Sequence, residues 1–136
     1  MDPFTPLVSL ENIDYLPFAV KACGNVYFEL RRSDTGGYGF ELGGPGIPFS
    51  SLDRVPSRET GQLDTHRGPM MDCQNFREFW LDWDTGMVRL GTGSVRGQNV
   101  VLNSPSEPIP GISQIIFNSG SWKLPLQYKG QSTNMK

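Results

Sequence analysis

One short segment holds the first candidates for chemistry. Asn75 to Asp84 reads NFREFWLDWD. At the two-residue period of a strand, Phe76, Glu78, Trp80 and Asp82 share one face, and Phe79, Leu81 and Trp83 share the other. An aromatic plane flanked by carboxylates suits a sugar ring, whose C–H face stacks while its hydroxyls meet the acids. Glu78 and Asp82 lie roughly 13 Å apart along the backbone, too far for the carboxylate pair of a glycosidase from this strand alone, which would need a partner from elsewhere such as Glu41. Recognition is therefore the chemistry expected, with Trp80 stacking and Glu78, Asp82 and Arg67 meeting hydroxyls. Tyr38, at the start of its own strand, and His66 with Arg67, in a polar loop, are the residues expected to complete the pocket. The alternative is that Trp80 packs beneath a loop or against another subunit.

Other chemistries find little support. His66 is the sole histidine, and no Gly-x-Ser-x-Gly elbow is present, so no catalytic residue is assigned. The glycine runs at 36–39, 43–46 and 91–93 lack the strand-to-helix setting and the Lys-Ser/Thr of a phosphate loop, and read as turns. Two cysteines and one histidine fall short of the four ligands of a structural zinc, so neither metal nor cofactor is expected. Cys23 and Cys73 read either as two buried thiols or as a disulfide closing about fifty residues, worth on the order of 4 kcal/mol.

The elements that must position these residues are strands. From Phe18 to Arg31, apolar and polar residues alternate on either side of Gly24-Asn25, which reads as a hairpin. Tyr38 to Leu42, Met87 to Gly91, Asn99 to Leu102, Ser113 to Asn118 and Trp122 to Tyr128 follow the same period, and Pro125 marks the last as an edge strand or a strand with a bulge. Residues 43–48 form a loop, and 53–72 a long polar loop with one short strand. No segment of ten residues keeps a helical period. Sixteen glycines and eleven prolines in 136 residues set dense turns. The fold expected is a single antiparallel β-sandwich, jelly-roll-like and essentially without helix, over residues 6–130, with a tail at 131–136. Residues 1–5 look like a vector-derived scar that replaces a native leader. Twelve basic against fourteen acidic residues argue against nucleic acid as partner, and no apolar run is long enough to insert in a membrane.

In order along the chain stand Phe18-x-Val20-Lys21-Ala22-Cys23, Phe40-Glu41-Leu42-Gly43-Gly44, Ser50-Ser51-Leu52-x-Arg54, Phe79-Trp80-Leu81-x-Trp83 and Val88-Arg89-Leu90-Gly91-Thr92-Gly93. This series resembles the farnesoic acid O-methyltransferase domain family. Two positions depart from its pattern: Pro45-Gly46-Ile47-Pro48 replaces the Asn after the glycine pair, and Phe40 replaces a Tyr. The family name implies methyl transfer from S-adenosylmethionine to a terpenoid acid. Members that are modules of larger secreted animal proteins tend to carry paired cysteines, which implies an oxidising, extracellular setting. With no βαβ unit to hold that cofactor, the reading preferred is a non-catalytic extracellular module for carbohydrate or another cell-surface ligand. Methyl transfer, and self-assembly into a homo-oligomer, are its rivals.

Overall fold

Alternation decides the architecture. In the computed structural model, which describes residues 7–10, 13–32, 36–55, 62–83, 86–105 and 111–125, the alternating segments are strands and no helix occurs among the described residues. They run β1 (Leu7–Ser9), β2 (Tyr15–Lys21), β3 (Val26–Arg32), β4 (Gly37–Leu42), β5 (Phe49–Val55), β6 (Gln62–Arg67), β7 (Arg77–Asp82), β8 (Arg89–Thr92), β9 (Val100–Asn103), β10 (Ile112–Asn118) and β11 (Ser121–Lys123). Two antiparallel sheets form, ordered β1-β10-β3-β4-β5-β6 and β11-β2-β7-β8-β9. The all-β sandwich expected from the sequence is the fold found. Residues 1–5, the tail at 131–136, and Leu126 and Tyr128 of the last alternating run lie outside the described residues.

The two inner faces meet through an aromatic layer. Phe28 stacks on Phe40 at 4.8 Å within the six-stranded sheet. Phe18 of the opposite sheet meets Phe28 edge-on at 5.5 Å and stacks on Phe79 at 5.6 Å. Each such ring, withdrawn from water, contributes about 1.5–3 kcal/mol, and the paired geometries add about 0.5–1.5 kcal/mol apiece. Phe79, Leu81 and Trp83 belong to this core, as their shared parity requires.

That layer also corrects the expected hairpin. β2 pairs with β7 and β11, whereas β3 pairs with β4 and β10. Gly24-Asn25 is thus a corner between sheets. Phe18 and Phe28 can then bury their rings against each other from opposite layers, where a hairpin would have set them side by side. Gly44 lies against this corner, and a Cβ there would come within 2.6 Å of the Gly24 carbonyl oxygen. The long loop expected at 53–72 is likewise shorter, because β5 reaches Val55 and β6 occupies Gln62–Arg67. β11 is an edge strand, as expected, and ends before Pro125.

Cys23, in the corner, is bonded to Cys73, just before β7, across a sequence separation of 50. The amide of Ala22 donates to the carbonyl of Asp72 at 3.2 Å beside it. The bond ties the crossing between the sheets to the approach to β7. Reduction, or the Cys23→Ser/Cys73→Ser variant, should lower stability by up to about 4 kcal/mol in the loop-entropy model. Urea unfolding with and without reductant measures this, and alkylation of the non-reduced protein should find no free thiol.

Candidate functional site

The outer face of the five-stranded sheet carries Trp80 where alternation places it, opposite the core. It is not open to solvent: Trp80 is 0% exposed. Its ring lies over its cross-strand partner Gly91, where a Cβ would collide with the indole. Its Nε1 donates to the Gln98 carbonyl at 3.0 Å, and the Arg89 guanidinium stands 5.3 Å from the ring. The covering segment, residues 93–99, is held in a tight path by positive φ at Gly93, Gly97 and Asn99 and by the Gly93 amide donating to the Glu78 carbonyl. The expected sugar-stacking ring is therefore a covered one, packed beneath a loop.

Asp82 is also fully buried. Arg89 grips it through Nε at 2.9 Å and Nη2 at 2.6 Å, and Arg96 Nε donates at 3.0 Å. Arg96 stacks in turn on Tyr15 at 4.8 Å. Burial pushes the Asp82 carboxyl up, but the hydrogen bonds and charges of Arg89 and Arg96 outweigh it and hold it below the usual carboxylate range. Its oxygens fasten the covering segment and do not face solvent. Tyr38 departs from expectation as well: it is 0% exposed, turned inward with Phe40 and Leu42, because those three share one parity on β4.

The structure brings Glu78 and His66 together. Both line a groove of about 520 Å³ with Phe76, Arg77, Thr92 and Lys123. Glu78 is exposed and His66 half-buried. His66 gets there because it opposes the inward Ser50 on β5, so the β6 edge delivers it to the end of the sandwich. Arg67, next in the chain, turns to the outer side, where its guanidinium stands 5.5 Å from the Phe49 ring.

Phe49 leads to a face that the sequence reading missed. Registers across β3, β4, β5 and β6 align Tyr27, Glu41, Ser51 and Thr65 in one outward row of the six-stranded sheet. Asn25 Nδ2 donates to Glu41 at 3.1 Å. Phe49 and Ile47, 53% and 40% exposed, border the row. Asn25, Glu41, Ser51, Thr65, Ile47 and Phe49, together with Gln62, line a groove of about 420 Å³. The next row carries Gly39, where a Cβ would press on the Tyr27 hydroxyl and on Val55. The available signal was the alternation of Ser50 and Leu52 against Phe49 and Ser51, which puts Phe49 outside.

Neither a family model nor a curated protein matches the chain, so the motif resemblance to the methyltransferase-named family stands without such a match. Solved structures do match in fold. A double mutant of congerin II superimposes with a TM-score of 0.60 at 10% identity, over 90% of this chain and 97% of that one. Xenopus laevis galectin-Ib gives 0.59 at 9% identity, over 88% and 98%. Caenorhabditis elegans galectin LEC-6 gives 0.54 at 10%, over 88% and 78%. The chain has a galectin-like β-sandwich fold.

Two outcomes follow from the covered face. Trp80→Ala should cost about 3–5 kcal/mol, as Trp83→Ala should, since each empties a closed site; thermal unfolding of both variants tests this. Asp82→Asn should cost about 3 kcal/mol by leaving two guanidinium groups against a neutral amide. Because the folded-state pKa of Asp82 lies below its unfolded value near ~3.9, the stability it contributes is complete above that value. It is lost as pH falls through the folded-state pKa. Stability measured down the acid limb should therefore fall less steeply in Asp82→Asn than in the parent.

Proposed function

We propose that the chain is a non-catalytic extracellular recognition module that binds carbohydrate on the outer face of the six-stranded sheet. The observation that carries this reading is the exposed Phe49 ring beside a row of hydroxyl, amide and carboxylate groups. A pyranose presents one apolar C–H face and a rim of hydroxyls that both donate and accept. Phe49 offers the stacking plane. Glu41, oriented by Asn25, accepts, while Ser51, Thr65 and Gln62 do both. Arg67, beside Phe49, supplies fixed donors at the groove's edge. The galectin-like fold supports the reading, and the Cys23–Cys73 bond supports an oxidising, extracellular setting.

A glycan array probed with the intact chain tests it, followed by titration of the best hit against Phe49→Ala and Glu41→Gln. Phe49→Ala should weaken binding about fivefold, the scale of one aromatic contact, with the melting temperature unchanged because the ring is exposed. A blank array, or a variant that binds as the parent does, would overturn the reading. Methyl ester formed from farnesoic acid and S-adenosylmethionine would replace it with the enzymatic one.

A further inference from the structure

The groove at the end of the five-stranded sheet concentrates positive charge in a chain whose formal charge is −2. Lys21 on β2 and Lys123 on β11 point outward from adjacent strands. Lys21 opposes Ser121, so Lys123 is its diagonal neighbour, roughly 7–8 Å away between backbone positions. Both ammonium groups rest on one ring, that of Phe76, at 5.0 and 4.2 Å from its centre. Among the described residues neither has a carboxylate within ion-pair distance. Phe76, Arg77 and Lys123 line the groove, and Lys21 borders it across the Phe76 ring; Arg77 is only loosely held, 3.6 Å from Asp72. That carboxylate is already occupied by the amides of Gln74 and Asn75.

One acid faces these cations without touching them. Lys123, Ala19 and Glu78 form a single outward row across β11, β2 and β7. Two strand spacings, roughly 10 Å, separate Lys123 from Glu78, and the methyl of Ala19 leaves a trough between them. Pro17, Ser94 and Leu124 extend this trough as a second groove of about 280 Å³. Glu78 has no ion-pair partner among the described residues, so its carboxylate is open to hydroxyl donors.

We propose that this groove is a second site, and that it binds an acidic saccharide. Its anionic substituent, sulfate or carboxylate, sits between Lys21 and Lys123, and its ring lies over Ala19 with hydroxyls donating to Glu78. The lysines recognise the anion as compact charges, and a bound anion relieves the repulsion between two cations held on one ring. Glu78 is what selects a saccharide: it accepts from the hydroxyls of a ring, a contact that a bare sulfate cannot make.

Titration of the intact chain tests this with four probes: a sulfated galactan tetrasaccharide, its neutral desulfated counterpart, sodium sulfate at matched ionic strength, and phosphatidylserine vesicles. The sulfated tetrasaccharide should bind, weaken as salt is raised, and shift the amide resonances of Ala19, Glu78 and Gly93. Lys21→Gln/Lys123→Gln should weaken it about tenfold, the combined scale of two exposed charge contacts, with the melting temperature unchanged. Lys21→Arg/Lys123→Arg should keep it. Equal binding by the glutamine variant would overturn the proposal. So would binding of the desulfated sugar, sodium sulfate or vesicles as tight as that of the sulfated tetrasaccharide. Such a failure leaves the Phe49 face standing, because neither lysine lies on the six-stranded sheet.

Discussion

The inner phenylalanines are the contact on which everything else in this fold rests. Phe18, stacked on Phe79 within one sheet, meets Phe28 and Phe117 of the other, where Phe28 stacks in turn on Phe40, and Trp122 closes the edge 4.2 Å from Phe117. Since strand side chains alternate, fixing these rings inward fixes every intervening residue outward. The outward rows that carry Glu41 and Ser51, or Lys123 and Glu78, are thus a consequence of the core. No local preference of those polar residues places them there.

The same constraint creates a problem at Trp80. It has the parity of the outside and the size of a core residue, and an indole left in water forfeits the burial that stabilises the rest. The loop after β8 solves it. Gly91 gives the ring a bare backbone to lie on, Gln98 receives its N–H, and Asp82 holds Arg89 and Arg96 over the surface. A buried ion pair of this kind adds little over an apolar contact of the same shape. Its effect here is positional, since it commits two arginines and one carboxylate to keeping a loop in place. Those groups are thereby withdrawn from recognition.

How much of this could be read from the sequence depends on the range of the interaction. Period-two alternation is local, so the strands, the core parity of Phe79, Leu81 and Trp83, and the all-β class were legible. The partner of a strand is not local. Gly24-Asn25 has the composition of a hairpin turn, yet the strands it joins find partners as distant as β7 and β10. A loop's cover is likewise non-local, which is why Trp80 read as a platform and lies beneath residues 93–99. Tyr38 is a different case: its parity with Phe40 and Leu42 was visible and points inward. Phe49 escaped notice because the glycine–proline run before it and the polar run after it masked two short strands.

Which surfaces remain for binding then follows from what the outer faces have to cover. On the five-stranded sheet the upper part of β7 carries Trp80 and Asp82 and must be sealed, so among the described residues the accessible stretch of β7 is the end near Glu78, where Ala19 and Gly93 are too small to fill the surface. On the six-stranded sheet the outward residues of β3 to β6 are polar or glycine except Phe49 and Val55, and the groove that Phe49 borders stays accessible. The two proposed sites thus fall on faces of different shape and charge, one half-sealed and one not. The Cys23–Cys73 bond stands between them, joining the corner that leads into β3 to the approach to β7. It thereby fixes the relative setting of the strands that carry Glu41's neighbour Tyr27 and those that carry Glu78.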